Sequence, residues 1–117
     1  MFLFTKCTQP ENVVAQLQKE LHTNLADVFH NKEKVYVVPT PLSKGNALRR
    51  FRKLVSADQV IAAGDSEFDI SMLQAADIGI APHFFLRRYF VDMPVEEMDG
   101  IDIFSEEMLR RVVELCS

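Results

Sequence analysis

The chain has 117 residues, 48% of them apolar and 26% charged, enough to fold one modest domain or two small lobes rather than remain disordered. Its 13 basic residues against 17 acidic ones give a net charge of −4, which argues against a polyanion-binding surface, so nucleic acid is not an expected partner. Cys7 and Cys116 lie near opposite ends without metal-ligand spacing, and the opening "MFLF" is too short for a membrane span or a signal peptide. A soluble, cytoplasmic protein with no membrane partner is expected.

In chain order, residues 1–6 read as a strand. "TQPENVVAQLQKELH" reads as a helix, with Thr8 and Glu11 at capping-box spacing, Pro10 in the first turn, and Val13, Val14, Leu17 and Leu21 as its buried stripe. "LADVFH" and "KVYVVP" then form two strands around the polar turn "NKE", which completes a small α+β lobe over residues 1–39. In "PTPLSKG" two prolines and a glycine interrupt the pattern before Ser43 opens a second helix with Ala47, Leu48, Phe51 and Leu54 on one side. This places the lobe boundary, with residues 40–117 as the second domain.

There, "QVIAAG" is a continuous apolar strand, "SEFDISMLQAA" a helix capped by Ser66, and "DIGIAP" another strand. Alternating helices and strands of this kind predict a parallel sheet covered on both faces, and hence an α/β fold. "FFLRRYFVDMP" reads as a loop and a further strand, its aromatics in the core and Arg87 and Arg88 in solvent. "SEEMLRRVVELC" reads as a terminal helix capped by Ser105, with Met108, Leu109, Val112 and Val113 on its buried side.

The chemistry concentrates in "VIAAGDSEFDISML". A buried parallel strand ending at Gly64 puts Asp65 at the carboxyl edge of the sheet, where ligands bind in open α/β folds, and Asp69 follows about one helical turn later. Two carboxylates so placed suit Mg²⁺, which takes one or two of them together with water and phosphate oxygens. Ser66 offers a hydroxyl. Lys44 opens the preceding helix and presents an ammonium toward the same edge, and a cation beside a metal-binding acid pair is what phosphoryl transfer requires. The same residues also have plainer readings: Asp65 and Ser66 as a helix start, Asp69 as a first-turn acid, Lys44 as a surface lysine.

"SKGNALRRF" followed by "VIAAGDSEFDISMLQAADIGIAP" resembles two motifs of the haloacid dehalogenase (HAD) superfamily phosphatases, in their Cof-type and sugar-phosphate branch. The resemblance implies a Rossmannoid core, present here as its carboxyl-terminal half, with residues 1–39 like the latter half of an α+β cap. It implies Mg²⁺ as cofactor, Lys44 as the group that steadies the phosphate, Ser66 near the phosphate, Asp65 as metal ligand and Asp69 as ligand or supporting partner. It further implies a small phosphomonoester substrate, such as a sugar phosphate, hydrolysed through an aspartyl-phosphate.

Two departures stand out. Phe68 occupies a position usually held by Asn, and the chain contains no Asp-x-Asp, the motif that carries the family's nucleophile. Asp92, Asp99 and Asp102 have the wrong spacing for it and read as loop acids. Thr40 ends a strand but fits the return from the cap better than a phosphate contact. The chain alone is therefore expected to turn over little. It reads as one part of a phosphatase, or alternatively as a non-catalytic phosphate- and metal-binding or regulatory module. A strand edge left open beside Asp65 predicts a homodimer or a companion chain supplying the missing half. His22, His30 and His83 are scattered and read as surface or satisfied residues, with His83 nearest the candidate site.

Overall fold

The computed structural model describes residues 3–21 and 25–117 and divides into two compact units, Met1–Ser43 and Lys44–Ser117. His22, the expected end of the first helix, and the first two residues of the opening strand lie outside the described residues.

In the first unit, β1 (Leu3–Lys6) precedes α1 (Pro10–Glu20), followed by β2 (Ala26–Asn31) and β3 (Lys34–Pro39). The sheet is antiparallel in the order β1-β3-β2, with Val28 opposite Val37 and Asn31 opposite Lys34 around a two-residue turn. Val28, Val35 and Val38 are its buried side chains. The helix begins one residue later than a Thr8 and Glu11 capping box requires: Gln9 is the cap and makes no side-chain cap bond, while Asn12 Nδ2 donates to Gln9 Oε1 at 2.8 Å. Pro10 explains this, since its ring disfavours helical backbone at the preceding residue and itself suits the first helical position. His30 is half-buried, and its Nδ1 has no hydrogen-bond partner.

The second unit contains α2 (Lys44–Val55), β4 (Ile61–Ala63), a 3₁₀ turn (Glu67–Asp69) leading into α3 (Ile70–Ala75), β5 (Ile78–Ala81), α4 (Phe85–Arg88), β6 (Val95–Glu97) and α5 (Phe104–Leu115). Its sheet is parallel in the order β4-β5-β6, with β4 at the edge and Ala63 opposite Ile80. Leu73, Ile80, Ala81, Phe85 and Met93 form the buried centre. Gly79 in β5 lies under α3, where an added Cβ would come within 3.2 Å of the Leu73 carbonyl oxygen.

Several sequence expectations are corrected here. The segment "FFLRRYFVDMP" forms the short helix α4 rather than a strand, and the third strand lies just beyond it at Val95–Glu97. The terminal helix starts at Phe104 with Ile103 as cap, so Ser105 is inside it. Its Met108 and Val112 are half-buried, but Leu109 and Val113 are exposed. On α2, Leu48 joins the core while Ala47, Phe51 and Leu54 face solvent, Phe51 at 63% and Leu54 at 81% exposure. The apolar stripe expected to be buried exceeds what this unit covers.

Candidate active site at the carboxyl edge of the parallel sheet

The site starts with the way β4 ends. Gly64 N donates to the Ile80 carbonyl at 3.1 Å, which extends the ladder one residue past the strand. The chain then turns away at Asp65 and Ser66. Asp69, at the end of the 3₁₀ turn, folds its side chain back beneath this turn: Oδ2 accepts from Asp65 N at 2.9 Å, from Ser66 N at 3.0 Å and from the Ser66 hydroxyl at 3.1 Å. Asp69 N in turn donates to the Ser66 carbonyl at 3.0 Å. Reciprocal bonding of this kind satisfies the free N–H groups at a helix start.

Gly64 makes this possible. A Cβ there would lie 2.3 Å from Asp69 Cβ and 2.8 Å from Oδ2, so any larger residue would expel the carboxylate. A glycine immediately before the first acid is thus a spatial requirement of the second.

The other oxygen of Asp69, Oδ1, receives the Lys44 ammonium. Lys44 is positioned by the docking of α2 on α3. Gly45 N donates to Ser71 Oγ at 3.1 Å, and a Cβ on Gly45 would fall 2.5 Å from the Ser71 carbonyl oxygen. Two adjacent helix starts and one strand end therefore bring Lys44, Asp65, Ser66 and Asp69 together.

The two aspartates occupy opposite environments. Asp69 is 4% exposed and Asp65 is exposed. Burial by itself raises the Asp69 pKa, but the Lys44 hydrogen bond, the Ser66 and Asp65 N–H groups and the Lys44 charge together hold it below the ordinary carboxylate value. Asp69 is therefore ionised at neutral pH and its oxygens are occupied. Lys44 keeps 54% of its side chain exposed while anchored at its tip.

The donor set can be tested against Mg²⁺. This ion is commonly held by one or two carboxylates, with water and substrate phosphate completing the octahedron. Asp65 offers one exposed carboxylate at the sheet edge. Asp69 has four donors around it, and among the described residues no group of three or more His, Cys, Asp or Glu side chains is close enough to hold a metal. The residues fit a hydrated ion with Asp65 as this chain's carboxylate, and they fit Asp69 as the residue that orients Asp65 and Lys44.

Asp102 is paired with Arg110 at 2.7 Å, and Asp92 and Asp99 are exposed. Thr40 belongs to the first unit, where its N–H donates to the Leu25 carbonyl at 3.0 Å and its hydroxyl is buried without a partner. His83 is exposed two residues after β5. Sequence reasoning missed Gly45, Gly64, Ser71 and Tyr89, whose hydroxyl donates to the Asp65 carbonyl at 3.4 Å. For the two glycines the available signal was their position, each next to a charged site residue.

The second unit is thus an α/β core in which a lysine at one helix start pairs with an aspartate at the next, beside a strand-end aspartate at the edge of a parallel sheet. Residues 1–82 match the family of haloacid dehalogenase-like hydrolases, and the chain belongs to that family. It is 32% identical over 91 residues to a phosphoglycolate phosphatase of Sulfurisphaera tokodaii, an alignment covering 74% of this chain and 40% of that protein. A phosphoglycolate phosphatase of Methanosarcina acetivorans is 37% identical over 57 residues, covering 47% of this chain and 25% of that protein. The fold matches a haloacid dehalogenase-like hydrolase from B. subtilis with a TM-score of 0.71 at 21% identity, over 95% of this chain and 40% of that one. A Thermotoga maritima crystal structure matches with a TM-score of 0.59 at 21% identity, over 94% of this chain and 43% of that one. The chain thus spans about two fifths of the length of the first of these relatives.

Proposed function

We propose that this chain carries the lysine and metal-ligand part of a Mg²⁺-dependent phosphomonoester hydrolase site. The observation that carries the reading is the four-residue assembly in which Asp69 secures Lys44 and the Asp65 turn, leaving the Asp65 carboxylate exposed at the sheet edge. In this reading Asp65 is the direct ligand, and the bound ion neutralises phosphate charge. Lys44 holds the phosphoryl oxygens by charge, and Asp69 keeps the Lys44 ammonium and the Asp65 backbone in place. The Ser66 hydroxyl donates its proton to Asp69, so in this geometry it supports the turn rather than donating to a phosphate oxygen. The two relatives named phosphoglycolate phosphatase support a small phosphomonoester as substrate.

The sequence contains no Asp-x-Asp, so the attacking aspartate of the family reaction has to come from outside these residues. The same absence favours a second reading, a module that binds phosphate and metal without turning them over. Two features support a partner that covers the open edge, either a second copy or a companion chain: β4 is the edge of its sheet, and the apolar stripe of α2 stands in solvent. The acidic composition disfavours nucleic acid as a partner in the cytoplasmic setting of this reading, and among the described residues no helix is long and apolar enough to cross a membrane.

The test is Mg²⁺-dependent hydrolysis of a generic phosphomonoester by the purified chain and its Asp65→Asn variant, each alone and mixed with an Asp-x-Asp-bearing amino-terminal half from a relative. Turnover only in the mixture, and only with Asp65, supports the enzyme part. Phosphate binding with no turnover in any mixture supports the module. Turnover unaffected by Asp65→Asn refutes both.

A further inference from the structure

We propose that the loop after β5, residues 82–90, recognises the leaving group at this site and favours phosphomonoesters whose alcohol carries a planar aromatic ring. This rests on the phosphomonoester reading above. The topology supplies the first reason. β4 and β5 are adjacent parallel strands with Ala63 opposite Ile80, so Asp65 and Pro82 leave the sheet at the same edge, about 5 Å apart by strand spacing. Tyr89, at the far end of the loop, returns to the same place through its hydroxyl bond to the Asp65 carbonyl.

The second reason is where the aromatics stand. Of the three phenylalanines here, Phe85 is buried in the core, while Phe84 is 56% exposed and Phe90 is 95% exposed. Both exposed residues have left-handed backbone, φ +62° at Phe84 and φ +52° at Phe90, a region that bulky L residues avoid and that Asn or Gly occupies readily. Strain combined with a large apolar ring in water brings the fold nothing, and such combinations gather at ligand sites.

The surface is also built. The His83 imidazole lies against the Phe84 ring, 3.9 Å between centroids and tilted by 43°. Beneath it lies Gly100, at φ +77°, where a Cβ would press on His83 atoms at 3.0–3.2 Å. Arg87 and Arg88 are exposed on the same loop, with the Arg88 guanidinium 5.6 Å from the Tyr89 ring centre. An exposed aromatic on the loop that leaves the sheet beside Asp65, with Arg87 and Arg88 on the same loop, is complementary to an aromatic phosphomonoester dianion. The ring would lie against Phe84 and the phosphate at Lys44.

Calorimetric titration of the chain in Mg²⁺ with phenyl phosphate and with ethyl phosphate tests this. Phenyl phosphate is expected to bind about two- to tenfold more tightly, the range that one aromatic contact gives. Phe84→Asn is expected to remove that preference while raising the melting temperature, because Asn fits the left-handed backbone. His83→Ala, which leaves the strained backbone untouched, is expected to reduce the preference in the same sense and serves if Phe84→Asn fails to fold. Equal affinities in the wild type, or a preference that survives both variants, overturn the proposal. If neither ester binds, the phosphomonoester reading falls and takes this one with it, whereas equal binding of both removes this one alone.

Discussion

Asp69→Asn isolates the residue on which the site is built, because it removes one charge and almost no volume. The Asp69 carboxylate accepts from Lys44 at one oxygen and from Asp65 N, Ser66 N and the Ser66 hydroxyl at the other. An amide has a single acceptor oxygen. Turned toward the three donors, it keeps those bonds at about half their charge-assisted strength, a loss of roughly 2–4 kcal/mol in total. Its NH₂ then faces the Lys44 ammonium, but Lys44 is 54% exposed and can turn to water, so this adds less than about 1 kcal/mol. Relief of carboxylate desolvation works in the opposite direction. The net expectation is about 2 kcal/mol, or a melting temperature lower by roughly 10 °C for a unit of this size. Asp65→Asn, the same chemical change on an exposed side chain, should stay within about 0.5 kcal/mol of wild type. Thermal and urea unfolding followed by circular dichroism measures both. If Asp69→Asn costs no more than Asp65→Asn, the division of labour argued here is wrong.

The lowered Asp69 pKa fixes the sign of a pH effect: its stabilisation is complete above the unfolded value of about 3.9 and is lost as pH falls through the lower folded value. The stability gap between wild type and Asp69→Asn should therefore narrow below about pH 4 in urea titrations, and a gap that widens there would contradict the sign. Gly45→Ala places a methyl 2.5 Å from the Ser71 carbonyl oxygen, a backbone atom that moves only with its helix, and should destabilise by about 1–3 kcal/mol in urea. Gly64→Ala meets the Asp69 side chain instead, and should lower stability and loosen the Lys44 contact together, the latter read from the Lys44 Nζ resonance by NMR. The double variant Phe51→Glu, Leu54→Glu alters exposed positions and should leave unfolding within about 1 kcal/mol. If a second copy covers α2, sedimentation should show the wild type associating and the double variant not.

What the sequence made legible depended on whether neighbouring residues decide it. β4, α3 and β5 are specified by a local apolar run, a capping pair and a second apolar run, and all three were found, along with the lobe of α1 and its three strands. The positions of Lys44 and Asp65 were legible for the same reason, since each sits at an element boundary. The orientation of α2 was not. Its stripe of Ala47, Leu48, Phe51 and Leu54 has the periodicity of a buried face, but burial depends on what lies opposite, and here only Leu48 meets the core. Leu109 and Val113 on α5 misled in the same way. The segment 84–94 failed for a different reason: α4 is four residues long, its first residue is preceded by a left-handed Phe84, and no pattern rule assigns Phe to such a position.

The two aspartates show what spacing alone leaves undetermined. Four residues apart in a helix start, both seemed able to reach one point above the sheet, and that geometry permits a pair of metal ligands. The missing Cβ at Gly64 changes the outcome, because it opens a space directly below the turn that the Asp69 carboxylate fills. Once inside, Asp69 accepts from two N–H groups and a hydroxyl at Oδ2 and from an ammonium at Oδ1, so its carboxylate is engaged in holding the turn and Lys44. Asp65, whose own N–H is held by that carboxylate, is left pointing its side chain away from the protein. Asp69 organises the turn and the lysine, and in the proposed site Asp65 is the acid that binds. The glycine therefore belongs to the chemistry of the motif as much as either acid does.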